Sequence, residues 1–373
     1  MERFQKKAIL ADLNKKMVLL SGPRQSGKTT LAQEIGKQFD HTVYLNYDST
    51  RDRKIIEEEA WLPSTEFLIF DEIHKKPNWK TYLKGVYDTK PPHQKILVTG
   101  SARLEIFNEV GDSLAGRYFL HRLMPLSPTE LKKVGQKFDL DRFLERGSFP
   151  EPFLCDRAVD AMRWRLQYVD SLLRIDVLDF ENIQNLKAIR LVFELLRARV
   201  GSPISYSSIA EDTAISPNTV KKYIAILEAL YIVFRVTPFS NNIARSLLKE
   251  PKIYFFDTGL VQGDDGIKFE NFVGTCLLKH VLGQIDYQAK NLSLCYLRTK
   301  DRREVDFALI QNGKIEKIIE VKYANHNINP GLTYFHEKYK LKAVQIVKEL
   351  KREYKKQGIE VIHAARFLQE LFL

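Results

Sequence analysis

The sequence contains few cysteines and no long apolar run. Its three cysteines, Cys155, Cys276 and Cys295, stand in neither a CxxC nor a Cys/His spacing. A disulfide framework and a zinc site are therefore disfavoured, and a reducing compartment is expected. The first residues lack the apolar core of a signal peptide, and no stretch approaches the roughly 18 apolar residues of a membrane span. These absences predict a cytoplasmic protein without a membrane partner.

The charge balance favours an anionic partner without identifying one. The net charge is +11, from 58 basic and 47 acidic residues, and the basic residues are spread along the chain. Nucleic acid would fit this balance, but a solvated lysine-rich surface would give the same composition. With 44% hydrophobic and 28% charged residues, the composition is that of a globular protein. The length fits two or three domains.

The pattern of apolar runs changes twice along the chain. Residues 1–135 alternate short apolar runs with helical stretches, which is typical of a parallel α/β sheet. The predicted strands are Met17–Leu20, Thr42–Asn46, Glu66–Phe70 and Lys95–Thr99. Residues 136–250 have helical patterns, and strands return afterwards. We therefore expect three domains, at 1–135, 136–250 and 251–373.

Residues 22–29 match the phosphate-loop pattern GxxxxGK[ST]. An apolar run precedes the match and a helical pattern follows it, which is the context that the motif requires. Glycines let backbone N–H groups surround phosphate oxygens, and the helix N-terminus adds partial positive charge. Lys28 would reach the β- and γ-phosphates of ATP, and the Thr29 hydroxyl would bind Mg²⁺. The predicted nucleotide-binding residues are Gly22, Pro23, Arg24, Gln25, Ser26, Gly27, Lys28, Thr29 and Thr30.

An acid pair follows the apolar run at 67–70. Asp71 and Glu72 come at the carboxyl end of this strand, where open α/β sheets bind ligands. We expect Asp71 to hold Mg²⁺ through water and Glu72 to polarise the attacking water. A strand ending in solvated acids is the alternative, and the preceding phosphate loop argues against it.

Two further residues are candidates for catalysis. Ser101 follows the strand at 95–99 and would sense the γ-phosphate. Arg117 would stabilise transition-state charge as an arginine finger. An arginine at such a position is, alternatively, a surface ion-pair partner.

A helix-turn-helix is predicted at about 202–227. Ser216 suits the N-cap of its second helix, and Pro217 suits the first helical position. The side chains near the exposed first turns are Asn218, Thr219, Lys221 and Lys222. A recognition helix meets the DNA major groove with such turns, and residues 231–236 would form a wing. The alternative is a module for packing or protein contact.

The last third of the chain contains a set of carboxylates with a lysine. Asp306 would be the central ligand of Mg²⁺ or Mn²⁺, Glu270 and Glu320 would complete the site, and Lys322 would orient water or offset negative charge. Glu320 and Lys322 stand two residues apart on a strand and so share a face. A hairpin with a solvated charged face is the alternative, and so is a nuclease fold without activity.

The turn of this hairpin decides whether its acids share a face. A two-residue turn at 312–313 would place Asp306 and Glu320 on opposite faces. A three-residue loop at 311–313 places them on the same face and sets Val305 opposite Ile319. We therefore expect the three-residue loop, with a type I turn and a bulge at Gly313.

The motifs, in their order, resemble those of prokaryotic AAA-type ATPases with an N-terminal AAA_14 domain and a C-terminal DUF4143 domain. They are SGPRQSGKTTL at 21–31, FDEIHK at 70–75, TGSARL at 99–104, SLAGRY at 113–118, GSFPEP at 147–152, YFFDTGL at 254–260, FENFV at 269–273, EVDF at 304–307 and EVK at 320–322. His74 stands where glutamine is expected in many relatives. The resemblance implies a P-loop ATPase core, a winged-helix segment and a C-terminal α/β domain similar to restriction endonucleases and other PD-(D/E)xK nucleases.

These features predict an ATPase that couples Mg²⁺·ATP hydrolysis to an action on DNA, with metal-dependent cleavage as one form of that action. The competing hypotheses are a nucleotide-dependent switch that binds DNA or protein without cleavage, and a signalling ATPase with protein contacts only. Since AAA relatives often form rings, a homo-oligomer is expected by analogy, and Arg117 would then act across a subunit boundary.

Overall fold

The computed structural model describes residues 3–100, 114–136, 138–176, 185–240, 250–324 and 327–373, without the side chains of residues 175 and 176. The chain divides into two compact units, Met1–Pro125 and Leu126–Leu373. Each unit is built around one β-sheet.

The first unit is an α/β domain with a five-stranded parallel sheet. Its strands are β1 (Met17–Ser21), β2 (Thr42–Asn46), β3 (Phe67–Asp71), β4 (Lys95–Thr99) and β5 (Tyr118–Arg122). They lie in the order β2-β3-β4-β1-β5, and every neighbouring pair is parallel. The described helices are α1 (Lys6–Leu13), α2 (Lys28–Gly36), α3 (Thr50–Glu58) and α4 (Trp79–Thr89). The parallel α/β sheet predicted for this part of the chain is confirmed.

Side chains on both faces of this sheet are buried. Along β3, Leu68 and Phe70 belong to one apolar cluster, whereas Phe67 and Ile69 belong to another on the opposite face. Parallel strands covered on both faces have continuous apolar runs, which explains the pattern from which they were predicted. The strand predicted at Glu66–Phe70 lies one residue later, so that Asp71 is its last residue.

The second unit has a mixed eight-stranded sheet. Its strands are β6 (Val233–Pro238), β7 (Lys252–Phe255), β8 (Leu292–Arg298), β9 (Glu304–Gln311), β10 (Lys314–Lys322), β11 (Ala343–Val347), β12 (Tyr354–Lys356) and β13 (Ile359–His363). Their order is β12-β13-β11-β10-β9-β8-β6-β7. The described helices of this unit are α5 (Pro128–Lys133), α6 (Leu140–Arg146), α7 (Pro150–Leu154), α8 (Ala158–Ser171), α9 (Leu186–Arg197), α10 (Tyr206–Thr213), α11 (Pro217–Ala229), α12 (Asp265–Gln288), α13 (Pro330–Tyr339) and α14 (Ala364–Gln369).

Helices α10 and α11 lie where the helix-turn-helix was predicted. Ser216 is the N-cap of α11, and its hydroxyl accepts the N–H of Thr219 at 3.1 Å, with Pro217 at the first helical position. Val220, Ile224 and Leu227 are fully buried. Asn218, Lys221 and Lys222 are exposed, and Thr219 is half-buried.

The predicted wing takes a different place in the fold. Its residues contribute to β6, which lies between β7 and β8 inside the eight-stranded sheet. Val233, Phe234 and Val236 are all buried. A strand with apolar side chains on both faces is stable as an inner strand of a covered sheet, which an exposed wing does not offer.

The hairpin of β9 and β10 corrects the predicted turn. Gln311 pairs with Lys314, so the loop has two residues, Asn312 and Gly313, whose φ angles of 51° and 75° fit a type I′ turn. A bulge at Glu316 then shifts the register by one residue. Phe307, not Val305, therefore lies opposite Ile319. The shift also places Asp306 directly opposite Glu320, on the same face, so the face was predicted correctly although the loop was wrong.

Candidate functional site

Asp71 ends β3 at the carboxyl edge of the parallel sheet, next to the phosphate loop. Its Oδ2 accepts hydrogen bonds from the hydroxyls of Thr29 at 2.9 Å and Tyr44 at 2.6 Å. The hydroxyl of Thr99, the last residue of the neighbouring strand β4, donates to Oδ1 at 2.5 Å. Three hydroxyl donors therefore fix this carboxylate, of which the sequence indicated only Thr29.

The phosphate loop runs from the end of β1 to the start of α2. Gly27 has a φ of 94° and precedes α2, whose first residue is Lys28. The ammonium of Lys28 donates to the carbonyl oxygens of Gly22 at 3.0 Å and Pro23 at 2.6 Å. Burial lowers the pKa of Lys28 to about 8, although Glu72 and Asp71 act in the opposite direction. A phosphate at this loop would provide the anionic partner that the buried ammonium needs.

An arginine near the start of the chain supports the loop. Arg3 is buried, and its guanidinium donates to the carbonyl oxygens of Ser26 at 2.9 Å and Met124 at 2.5 Å. It thereby ties the loop to the segment after β5. No sequence motif indicated this contact, because it depends on how distant parts of the first unit fold together.

Glu72 follows Asp71 with a left-handed backbone, at a φ of 56°. Its Oε2 lies 3.2 Å from the ammonium of Lys75 and 3.7 Å from Nε2 of His74. Lys75 also binds Asp48 at 2.5 Å. Glu72 is thus close to Lys28 of the phosphate loop, but its carboxylate is paired with Lys75.

The structure does not bring every predicted residue to this site. Ser101 lies outside the described residues. Arg117 directly precedes β5. The parallel pairing of Met17 with Tyr118 places it at the end of the sheet opposite to the phosphate loop, and the length of β1, about 13 Å, separates the two ends. There it forms an exposed ion pair with Asp88 at 2.8 and 3.0 Å.

The residues at the carboxyl edge fit a Mg²⁺ ion bound together with a nucleotide. The hydroxyl of Thr29 and the carboxylate of Asp71 are hard oxygen donors, the kind that Mg²⁺ prefers. They already contact each other in front of the loop that would carry the phosphates. Thr29 and Asp71 would hold such an ion, which would offset the negative charge of the phosphates.

A second group of charged residues lies on the large sheet of the second unit. Lys252, the first residue of β7, is 1% exposed. Its ammonium lies 2.7 Å from Glu304 Oε1 and 3.5 Å from both Glu270 Oε1 and Asp306 Oδ1. The hydroxyl of Tyr254, two residues further along β7, donates to Glu270 at 2.7 Å.

Glu320 and Lys322 on β10 lie beside this group. The ammonium of Lys322 contacts Glu320 Oε1 at 2.8 Å, and Nδ2 of Asn329 donates to the same oxygen. The N–H of Val321 donates to Asp306 Oδ2 at 3.0 Å. Burial, reinforced by Asp306, raises the pKa of Glu320 well above its ordinary value, although Lys322 opposes this shift.

Two of the three carboxylates predicted as metal ligands, Glu270 and Asp306, therefore contact Lys252. Burial alone would lower the pKa of Lys252, but the carboxylates of Glu270, Asp306 and Glu304 outweigh burial and raise it. In the part of the chain that the structure describes, no three His, Cys, Asp or Glu side chains are arranged to hold a metal ion. Metal binding by Glu270, Asp306 and Glu320 stays a prediction. Sequence reasoning missed Lys252, since the YFFDTGL motif begins two residues after it.

Models of known families match three parts of the chain. Residues 14–132 match the AAA domain AAA_14, and residues 265–367 match DUF4143, a domain of unknown function. Residues 137–268 between them match another domain of unknown function, DUF8612. The chain therefore carries a match to an AAA domain followed by a match to a DUF4143 domain, in the order that its motifs predicted.

Similar curated proteins are described as uncharacterized. One of Mycobacterium tuberculosis is 27% identical over 305 residues, which cover 80% of this chain and 68% of that protein. One of Haemophilus influenzae is 23% identical over an alignment that covers 94% of this chain and 93% of that protein. Neither description names an activity.

Two solved structures resemble the fold at low identity. The Walker-type ATPase paby2304 of Pyrococcus abyssi has a TM-score of 0.44 and 14% identity, over 69% of this chain and 94% of that chain. RuvB of Thermotoga maritima has a TM-score of 0.34 and 18% identity, over 62% of this chain and 88% of that chain.

Among the described residues, no helix combines the length and the apolar character required to cross a bilayer.

Proposed function

We propose that this AAA protein binds Mg²⁺·ATP and hydrolyses it. The observation that carries the proposal is the hydrogen bond of 2.9 Å between the Thr29 hydroxyl and Asp71. It joins the end of the phosphate loop to the acid that ends β3, which is the pair of groups that holds Mg²⁺ in P-loop ATPases. Lys28 would contact the β- and γ-phosphates, and Glu72, once released from Lys75, would orient the attacking water.

Nucleotide binding and turnover separate the two roles. Lys28→Ala is expected to weaken ATP binding by at least about tenfold, because it removes a charge that contacts phosphate. Glu72→Gln should still bind ATP but lose turnover by about 100-fold or more, since the amide cannot accept a proton. Calorimetry and phosphate release measure these effects. Lys37→Ala and Glu57→Gln, on the exposed surface of the same unit, serve as controls. Wild-type turnover in Glu72→Gln would refute its catalytic role.

Action on DNA is the finer part of the proposal. The exposed lysines Lys221 and Lys222 in the first turns of α11, together with the charge of +11, support electrostatic binding to DNA. A Lys221→Ala/Lys222→Ala double variant should bind duplex DNA more weakly and lower the slope of log K against log[salt] by about 1 to 2. Lys187→Ala on the neighbouring helix α9 is the matched control. Unchanged affinity in the double variant would favour a protein-contact role instead.

Metal-dependent cleavage of DNA is a second candidate function for the C-terminal domain. One observation favours it. Among the described residues, Oε2 of the buried Glu320 has no hydrogen-bond partner, although Asp306 and Lys322 are close by. Nicking of plasmid in Mn²⁺ should disappear in both Glu320→Ala and Lys322→Ala. Nicking that persists in both variants would come from another site or from a contaminant.

A homo-oligomer is part of the proposal because Arg117 lies at the far end of its own sheet. A catalytic Arg117 would have to act on the nucleotide of another subunit. Loss of turnover in Arg117→Ala without loss of ATP binding would support this arrangement. Normal turnover in Arg117→Ala would contradict a catalytic role and would leave Arg117 as a surface residue paired with Asp88.

A further inference from the structure

Lys252 occupies the centre of the C-terminal acidic cluster, which we define as Glu270, Glu304, Asp306 and Glu320. A lysine that is 1% exposed must be paired, because a buried ammonium without partners is strongly disfavoured. Lys252 satisfies this requirement with oxygens of three members of the cluster, at 2.7, 3.5 and 3.5 Å. The ammonium therefore stands where a cation bound by these carboxylates would stand.

The contacts around these carboxylates hold them towards the lysine. Glu270 accepts the hydroxyl of Tyr254, and a Cβ on Gly201 would lie 2.9 Å from its Oε1, so the loop leaves little space behind it. The second oxygen of Asp306 is occupied by the N–H of Val321. Glu270 and Asp306 are thus positioned to neutralise Lys252.

Glu320 is the exception in the cluster. One of its oxygens binds Lys322, and the other is buried without a hydrogen-bond partner among the described residues. Capacity for a cation therefore remains at Glu320, next to the carboxylate of Asp306. The two predicted ligands Glu270 and Asp306, however, are shared with an ammonium that would repel any ion bound beside it.

We propose that Lys252 is the resident cation of the acidic cluster, and that a divalent ion binds there only when this ammonium is displaced. The inference deepens the proposed metal-dependent function of the C-terminal domain, since it states what controls metal access. It assigns to Lys252 a role that opposes that of Lys322, which sits at the rim of the cluster and is 31% exposed.

Titration with Mn²⁺ tests this proposal on the full chain without nucleotide. Asp71→Asn in every protein removes the N-terminal site from the measurement. Lys252→Met should bind Mn²⁺ tighter than the parent by about 10- to 100-fold, because no buried ammonium has to be displaced. Arg298→Met removes a positive charge that contacts the outer side of Glu304 at 3.5 Å, and it should change the affinity by less than about threefold. Equal affinity in the parent and in Lys252→Met would overturn the proposal.

Two further measurements keep the test independent of folding and of cleavage. The double variant Lys252→Met/Glu304→Gln removes one charge of each sign and guards against unfolding by unpaired carboxylates. The parent itself should show no rise in melting temperature with about 1 mM Mn²⁺, and a clear rise would contradict a resident lysine. Tight Mn²⁺ binding by Lys252→Met without nicking would leave this proposal standing and remove the nuclease. Tight Mn²⁺ binding together with nicking by the parent would overturn the proposal for Lys252 and support the nuclease.

Discussion

At Gly22 the chain enters the phosphate loop with a φ of 139°, and a Cβ there would lie 2.4 Å from the carbonyl oxygen of Leu123. Gly27 also has a positive φ, but its missing Cβ would meet open space. The two glycines of the motif are therefore required for different reasons. Gly22 allows two backbone segments to approach closely, whereas Gly27 supplies only a conformation that leads into α2.

This difference predicts unequal costs for two similar substitutions. Gly27→Ala should destabilise the first unit by about 1–3 kcal/mol through backbone strain. Gly22→Ala should cost clearly more, because the backbone at Leu123, just after β5, must also move. Chemical denaturation followed by circular dichroism compares the two variants with the parent. Equal losses of stability would show that the approach to Leu123 does not limit the loop.

Single residues also mark the limit of what the sequence could predict about the sites. Lys28, Thr29 and Asp71 were predicted because each belongs to a local motif with known chemistry. Tyr44 and Thr99 were not, because their contacts with Asp71 depend on strand neighbours that are distant in sequence.

At the scale of elements, the β9–β10 hairpin shows which part of a register the sequence determines. Alternation of apolar and charged residues indicated the shared face of Asp306 and Glu320, because a one-residue slip would bury charge and expose the core. The turn was predicted wrongly because the bulge at Glu316 compensates for a two-residue loop. Local composition gives no signal for such a compensation.

Helix α12 contains a histidine whose charge state should link stability to pH. Burial lowers the pKa of His280 to about 4, and the nearby Lys290 and Lys317 add to the shift. Its Nδ1 accepts the N–H of Phe372 at 2.8 Å, which holds the end of the chain. His280 is therefore neutral in the folded second unit at pH values where the unfolded chain, with a pKa near 6.5, binds a proton.

The sign of the effect follows from this difference in proton binding. The contribution of His280 is fully present above about pH 6.5 and is lost as the pH falls from there towards 4, with about 1–2 kcal/mol lost between pH 7 and pH 5. His280→Gln, which does not titrate, should lose less stability over this range than the parent. Urea denaturation at pH 7 and pH 5 measures both proteins. If the parent and His280→Gln lose the same stability between pH 7 and pH 5, His280 does not have this role.

At the scale of the whole molecule, the sheet of the second unit crosses the predicted domain boundary at residue 250. β6 comes from the segment before this boundary and lies between β8 and β7, which come after it. Contacts further along the chain cross the boundary as well. The hydroxyl of Thr129 donates to the carbonyl oxygens of Leu368 and Leu371, and Lys279 forms a buried ion pair with Glu130. The change of pattern near residue 250 reflects a change of element type, which does not by itself end a folding unit.

These contacts predict how two fragments of the chain behave. A fragment of residues 251–373 lacks β6, so β7 loses its strand partner and the edge of β8 is exposed. We expect this fragment to unfold without a cooperative transition or to aggregate, whereas residues 126–373 should unfold cooperatively. Urea denaturation followed by circular dichroism and by tryptophan fluorescence compares the larger fragment with the full chain. A cooperative transition in the fragment 251–373 would mean that β7 to β13 form a stable core without β6, and β6 would then be an addition to that core rather than part of it.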